Sequence, residues 1–169
     1  MITFETVTQT WQRMSQTSAH EAPEIINQMQ AEQPVVLSYL IHLEDLPFNQ
    51  YERELIFYLG MVVWQIMKQS EHQLYEVTGK KLRKAEDANV ELLEQLGSYS
   101  EGKLIETIQL LLADYPEPEV LPYIVEAIME ESPDDPGFRD EYRGLAFVHL
   151  KILLDAFIDS LARRPDLVA

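Results

Sequence analysis

Cysteine is absent from this chain of 169 residues. That absence removes disulfides, thiolate zinc sites and cysteine nucleophiles together, and it fits a reducing compartment. Glycine is scarce, with six residues, as expected for helices joined by short turns. Basic residues are outnumbered, 13 Lys and Arg against 29 Asp and Glu, for a net charge of −16. Such a charge repels phosphate backbones and anionic membranes, which disfavours both as direct ligands and permits a basic protein partner or a cation. The opening Met1 to Glu5 lacks the basic and then apolar run of a signal peptide. The longest apolar run, Leu55 to Met67, is interrupted only by Gly60 and Gln65. It is shorter than the roughly 20 residues needed to span a bilayer. A soluble, cytoplasmic chain is the expectation.

Catalytic fingerprints are also lacking. There is no glycine-rich phosphate loop, no Gly-x-Ser-x-Gly and no interleaving of basic with aromatic residues. None of the four histidines has a second His four residues on or a Glu three residues before, so the zinc-helix and di-iron patterns are missing. Pairs such as Glu91 and Glu94 have a spacing that suits magnesium, but 29 acidic residues produce it by chance. No cofactor is expected.

What the chain does have is helical periodicity. Apolar residues make up 46%, enough for a proper core, and no stretch alternates with period two. The pattern predicts an all-α fold of about eight helices in one domain, packed as a compact bundle or a short helical array. The first helix runs from about Thr3 to Ser18, with Thr3 as N-cap and Phe4, Val7, Trp11 and Met14 as its apolar stripe. Pro23 and Pro34 open the second and third, the latter with Val36, Leu37, Leu40, Ile41 and Leu43 inward. Asn49 caps a long fourth helix that reaches Val77 and ends at Gly79. The fifth covers about 82–96, with Val90, Leu93 and Leu96 inward, and the sixth about 100–114, its start carrying a capping-box spacing between Ser98 and Glu101. The seventh follows Pro118, and the eighth runs from Gly137 to near Arg164.

The order of the pieces repeats, which suggests two quasi-equivalent four-helix halves, 1–79 and 80–169. At a shift of 90, Glu44-Asp45 lies over Asp134-Asp135, Phe48 over Phe138 and Arg53 over Arg143. Matching apolar positions weigh little, because helical patterns resemble one another by periodicity alone. The Arg and acidic-pair matches weigh more. In this reading Arg53 clamps Glu44 and Asp45, and Arg143 clamps Asp134 and Asp135, as structural ion pairs.

Charge is unevenly spread. Between Asp114 and Glu141 ten residues are acidic and one, Arg139, is basic. Aromatic residues ringed by charge suit an interface centre. The candidate partner-binding set is therefore Tyr115, Glu117, Glu119, Tyr123, Glu126, Glu130, Glu131, Asp134 and Asp135. The one basic run, Lys80-Lys81-Leu82-Arg83-Lys84, is placed in a turn, where it complements the negative end of the fourth helix or meets the acidic face of a second copy. A weaker metal set is His42, Glu44 and His149. The leading functional expectation is a non-enzymatic interaction or regulatory module for a protein partner, including the variant of a nucleic-acid mimic. The alternatives are a metal-dependent enzyme using Glu, Asp and His from several helices, and a homodimeric structural protein.

Overall fold

The computed structural model describes residues 1–96, 101–130 and 137–162. Among these the fold is all-α. The helices are α1 Phe4–Ser15, α2 Ala22–Glu32, α3 Pro34–His42, α4 Gln50–Met67, α5 Gly79–Ala88, α6 Val90–Leu96, α7 Glu101–Leu112, α8 Val120–Met129 and α9 Arg143–Asp159. Short 3₁₀ turns, Leu43–Asp45 and Asp140–Tyr142, precede the two longest helices, α4 and α9. No helix among the described residues is long and apolar enough to cross a membrane.

The core is built around α9. Ala146, Phe147, Val148, Leu150, Leu153, Leu154, Ala156 and Phe157 are all buried, so almost the whole circumference of this helix is covered. Helices α4, α5, α6 and α8 pack on it, and α1 packs on α4. A helix that is apolar nearly all round has to be central, because any exposed face would leave apolar surface in water. The same argument explains α4, where Ile56, Val62, Val63, Trp64, Ile66 and Met67 are fully enclosed.

Several sequence expectations are corrected. Thr3 does cap α1, accepting from the Thr6 N–H, but its stripe divides: Val7, Thr10 and Met14 face inward while Phe4 and Trp11 are exposed. Ile41 and Val90 are likewise exposed. Helix α4 stops at Met67 rather than Val77. Residues 73–77 form an extended strap instead. Tyr75 N–H donates to the Ser160 carbonyl and Ala162 N–H to the Gln73 carbonyl, pairing the strap with the end of α9. Gln33, buried at the end of α2, fixes the other edge: its side chain donates to the Tyr75 carbonyl (3.0 Å) and accepts from the Val77 N–H (2.8 Å). These backbone groups cannot be left buried without partners, and tertiary contacts supply them in place of a helix.

Gly79 does not end α4. It is the first residue of α5, whose N-cap is Thr78, accepting from the Lys81 N–H. The basic run therefore lies inside the first turns of α5, not in a turn before it. Its cations complement the negative end of α9 rather than of α4: Lys81 Nζ donates to the Asp159 carbonyl (3.0 Å), and Lys84 Nζ lies 3.8 Å from the Asp159 carboxylate. The expected fifth helix is divided at Asn89, and α9 ends at Asp159, short of Arg164. The Ser98–Glu101 capping box and the Asp134-Asp135 pair lie outside the described residues.

The start of α4 is locked by Glu52. Its carboxylate is fully buried and accepts from the Asn49 N–H (2.9 Å), completing a capping box with Asn49, whose side chain accepts from the Glu52 N–H. The same carboxylate accepts from the Arg139 N–H (2.8 Å) and from the Arg139 guanidinium (2.7 Å), tying α4 to the segment before α9. Beside this lock the Phe48 and Phe138 rings meet edge to face, with centroids 6.2 Å apart. Arg53 donates to the Phe48 carbonyl and Arg143 to the Phe138 carbonyl, each reaching back five residues. Both arginines thus reach a backbone carbonyl, and the Asp134 and Asp135 expected beside Arg143 lie outside the described residues. Arg53 makes no ion pair with Glu44 or Asp45, which are exposed, and Arg143 pairs with Asp140 (3.3 Å).

Burial alone would raise the Glu52 pKa. The hydrogen bonds from the Arg139 side chain and from the Asn49 and Arg139 backbones outweigh it and hold the carboxyl below its ordinary 4.5. A depressed carboxylate stabilises the fold above its unfolded pKa, and that contribution is lost as pH falls through the lower folded value. Glu52→Gln places a donating amide against a backbone N–H. It should lower stability at pH 7 by about 1–3 kcal/mol and remove the Glu52 share of acid unfolding below about pH 4.5, read from urea midpoints across pH.

Two glycines mark close approaches of different kinds. A Cβ on Gly144 would lie 2.7 Å from the Leu96 carbonyl oxygen, a backbone atom, whereas one on Gly60 would meet the methyl groups of Leu40 at 2.7 and 2.9 Å. Backbone cannot give way as a leucine tip can. Gly144→Ala should cost about 1–3 kcal/mol and Gly60→Ala about 1 kcal/mol or less, compared by thermal melting.

Candidate interaction surface

A few of the groups capable of acid–base chemistry are paired with one another inside the fold. The largest such cluster surrounds Asp155. Lys151 and Asp155 lie one turn apart on α9, and Lys151 Nζ is 2.8 Å from Asp155 Oδ2 and 2.8 Å from Asn89 Oδ1. Asn89 donates to Asp155 (2.9 Å) and to the Ala85 carbonyl (2.8 Å). The Tyr115 hydroxyl donates to the other Asp155 oxygen, and the Lys151 ammonium sits 5.6 Å from the Tyr115 ring centre. Burial first, and then the negative charge of Asp155, push the Tyr115 hydroxyl well above its ordinary pKa. Every partner in this network is satisfied, which is what makes a buried ion pair tolerable.

The histidines do not converge. His42 is exposed at the end of α3, its Nδ1 2.6 Å from the Ser38 carbonyl. His149 points inward and shares a hydrogen bond with the Tyr39 hydroxyl, the two rings 5.9 Å apart. Desolvation lowers the His149 pKa to about 4 and raises that of Tyr39. Glu44 is exposed beyond α3. The set His42, Glu44 and His149 therefore forms no ligand cluster, and no group of three or more metal-capable side chains is assembled among the described residues.

The acidic stretch divides into an inner and an outer part. Tyr115 belongs to the Asp155 network, and Glu117 is buried, accepting from the Ile2 N–H at 2.9 Å. Glu117 is thereby removed from any contact surface, and the Tyr115 hydroxyl is committed to Asp155. Phe138, also placed in the acidic region by sequence, is in the core. Glu131, Asp134 and Asp135 lie outside the described residues. The remaining members share one line on α8. Glu119 is its N-cap residue and Glu130 its C-cap residue, with Tyr123 and Glu126 between. Spacings of −4, +3 and +7 from Tyr123 put all four within about 60° of arc at 100° per residue. The opposite side of α8, with Val120, Leu121, Ile124 and Ile128, is buried. Glu126 and Glu130 are exposed, while Glu119 and Tyr123 are half-buried. Burial, then neighbouring Tyr58 of α4 and the Glu130 charge, raise the Tyr123 pKa. A pair of tyrosines from α4 and α8 thus sits beside a row of carboxylates.

A second surface has the opposite sign. A groove of about 740 Å³ runs between the strap, α5 and the end of α9, with Tyr75, Thr78, Lys80, Lys81, Arg83 and Lys84 among its walls. No protein-family model matches the chain, and no curated protein or solved structure matches it.

Sequence reasoning missed the Asp155 network and the Gln33 bracket. A signal for the first was present: Lys151 and Asp155 are an i, i+4 charge pair inside an otherwise apolar stretch, which has to find partners if the helix is central. Asn89 and Gln33 gave no local sign, because their partners lie 66 and 42 residues away.

The half-buried His149 sets a second acid window. Its folded pKa of about 4 lies below the ordinary 6.5, so the unfolded chain takes up the proton first as pH falls. Stability should decline between about pH 6.5 and 4, by up to about 1.4 kcal/mol per pH unit. His149→Gln keeps a hydrogen-bonding group for Tyr39 and should flatten that slope in urea titrations. An unchanged slope would place the titration elsewhere.

Proposed function

We propose that the protein is a non-catalytic binding module that engages a basic protein partner through the acidic, tyrosine-centred face of α8. The observation that carries this reading is the register of α8. Tyr123, Glu126 and Glu130, with Glu119 at the helix start, lie along one side while the apolar residues take the other. Tyrosine at the centre of a charged face supplies contact area, and the carboxylates supply encounter rate and orientation. The internal pairing of Lys151, Asp155, Tyr115 and His149 supports the same reading, since an active site keeps such groups open to substrate. A cytoplasmic setting is part of the proposal, supported by the absence of cysteine.

Binding to a lysine-rich peptide, followed by calorimetry at two salt concentrations, tests the reading. The wild-type chain should bind, and more weakly as salt rises. Glu126→Lys with Glu130→Lys should weaken binding about tenfold or more, while the melting temperature stays within about 2 °C because both side chains are exposed. A control, Glu5→Lys with Glu24→Lys, changes the net charge equally at exposed sites on α1 and α2. Equal losses in the two double variants would mean that net charge alone is responsible, and the α8 face would be rejected.

A further inference from the structure

We propose that the basic groove along α5 receives the acidic α8 face of a second copy of this chain, so that the protein associates with itself head to tail. The inference rests on the α8 reading above and names its partner. The chain carries 13 basic residues in all, yet four of them, Lys80, Lys81, Arg83 and Lys84, wall one groove. Lys81 is engaged by the Asp159 carbonyl, and Lys84 lies near the Asp159 carboxylate. Lys80 and Arg83 are exposed and have no hydrogen bond or ion pair among the described residues. They stand three residues apart on α5 and so point the same way. Tyr75, 53% exposed, supplies an aromatic wall on the strap. The complementary surface is the carboxylate row of α8, which has the same helical pitch and the opposite charge. Matching two charged helix faces of equal pitch brings glutamate to lysine and arginine without burying an unpaired charge.

The two surfaces belong to different helices, both packed on α9, so each copy offers one donor face and one acceptor groove. Contact of unlike surfaces is heterologous and propagates until it closes in a ring or stays open. The net charge of −16 opposes this at long range. Salt screens that repulsion beyond about 8 Å at 0.15 M, while charges in contact are screened less. Association should therefore peak near physiological salt and fall at both lower and higher salt.

Sedimentation velocity and light scattering over about 1–200 µM protein at three salt concentrations test the proposal. The expected result is a mass that rises with concentration most strongly near 0.15 M salt. Two variants, Glu126→Lys with Glu130→Lys and Lys80→Glu with Arg83→Glu, should each remain monomeric. Glutamate at position 80, in the first turn of α5, suits its dipole and position 83 is exposed, so the second variant folds, as circular dichroism will verify. Mixed together, the two variants keep the altered surfaces apart only in part: each retains one native surface, the basic groove in the first and the acidic face in the second. The reversed surfaces, lysine on α8 of the first and glutamate on α5 of the second, complement each other as well, so the mixture should regain the association that neither variant shows alone. A wild-type chain that stays monomeric throughout overturns the inference, as does self-association that survives in either variant. Binding of the lysine-rich peptide is read separately: if it persists while the chain stays monomeric, the α8 module stands and only its self-partner falls. If the peptide fails to bind as well, the α8 reading falls with it.

Discussion

The Glu52 carboxylate has no access to water, and the positions of the two longest helices depend on how it is satisfied. Asn49 and Glu52 close the first turn of α4 on each other, and Arg139 brings the approach to α9 onto the same two oxygens. Removing any donor would leave part of a buried charge unmatched, which costs more than a surface ion pair yields. The lock therefore sets where α4 begins relative to α9. The edge-to-face contact of Phe48 with Phe138 and the back-reaching Arg53 and Arg143 follow from that placement. At the shift that aligns these residues, Asn49 corresponds to Arg139, and the two differ. Asn49 caps its own helix, whereas Arg139 serves α4 rather than α9, and α9 has no side-chain cap.

Polar groups inside the fold act as joints between helices. Gln33 holds the strap as a neighbouring strand would, offering one donor and one acceptor to the backbone. Glu117 fixes the chain start through the Ile2 N–H. Asp155 joins α9 to Asn89 and Tyr115. Dispersion and apolar burial pull the helices together but leave their rotation and sliding loosely determined; directional hydrogen bonds that must be completed remove that freedom.

Charge has been separated by the same packing. Within the acidic stretch Glu117 turns inward, while Glu126 and Glu130 turn out beside Tyr123. The basic run lands on the end of α9, where part of it offsets the helix dipole and the rest stays exposed. The result is a strongly acidic body with one row of carboxylates and one basic groove on separate helices, a distribution suited to contact with other charged surfaces.

Helical class, the proline-opened starts of α2 and α3, the caps Thr3 and Asn49, and the central place of α4 and α9 were legible in the sequence, because they follow from local chemistry and from apolar residues lying all round a helix. The exposure of Phe4 and Trp11 was not, since a stripe wider than the available partner surface has to leave some members outside, and only packing decides which. Nor was the end of α4: residues 68–77 have no proline to stop a helix, and the strap exists because Gln33 and the end of α9 offer better partners. The candidate surface was half legible. Composition marked the acidic stretch, but which carboxylates face water is set by the register of α8 on α9 and by distant groups such as the Ile2 N–H. Those long-range contacts have no periodicity for the sequence to display.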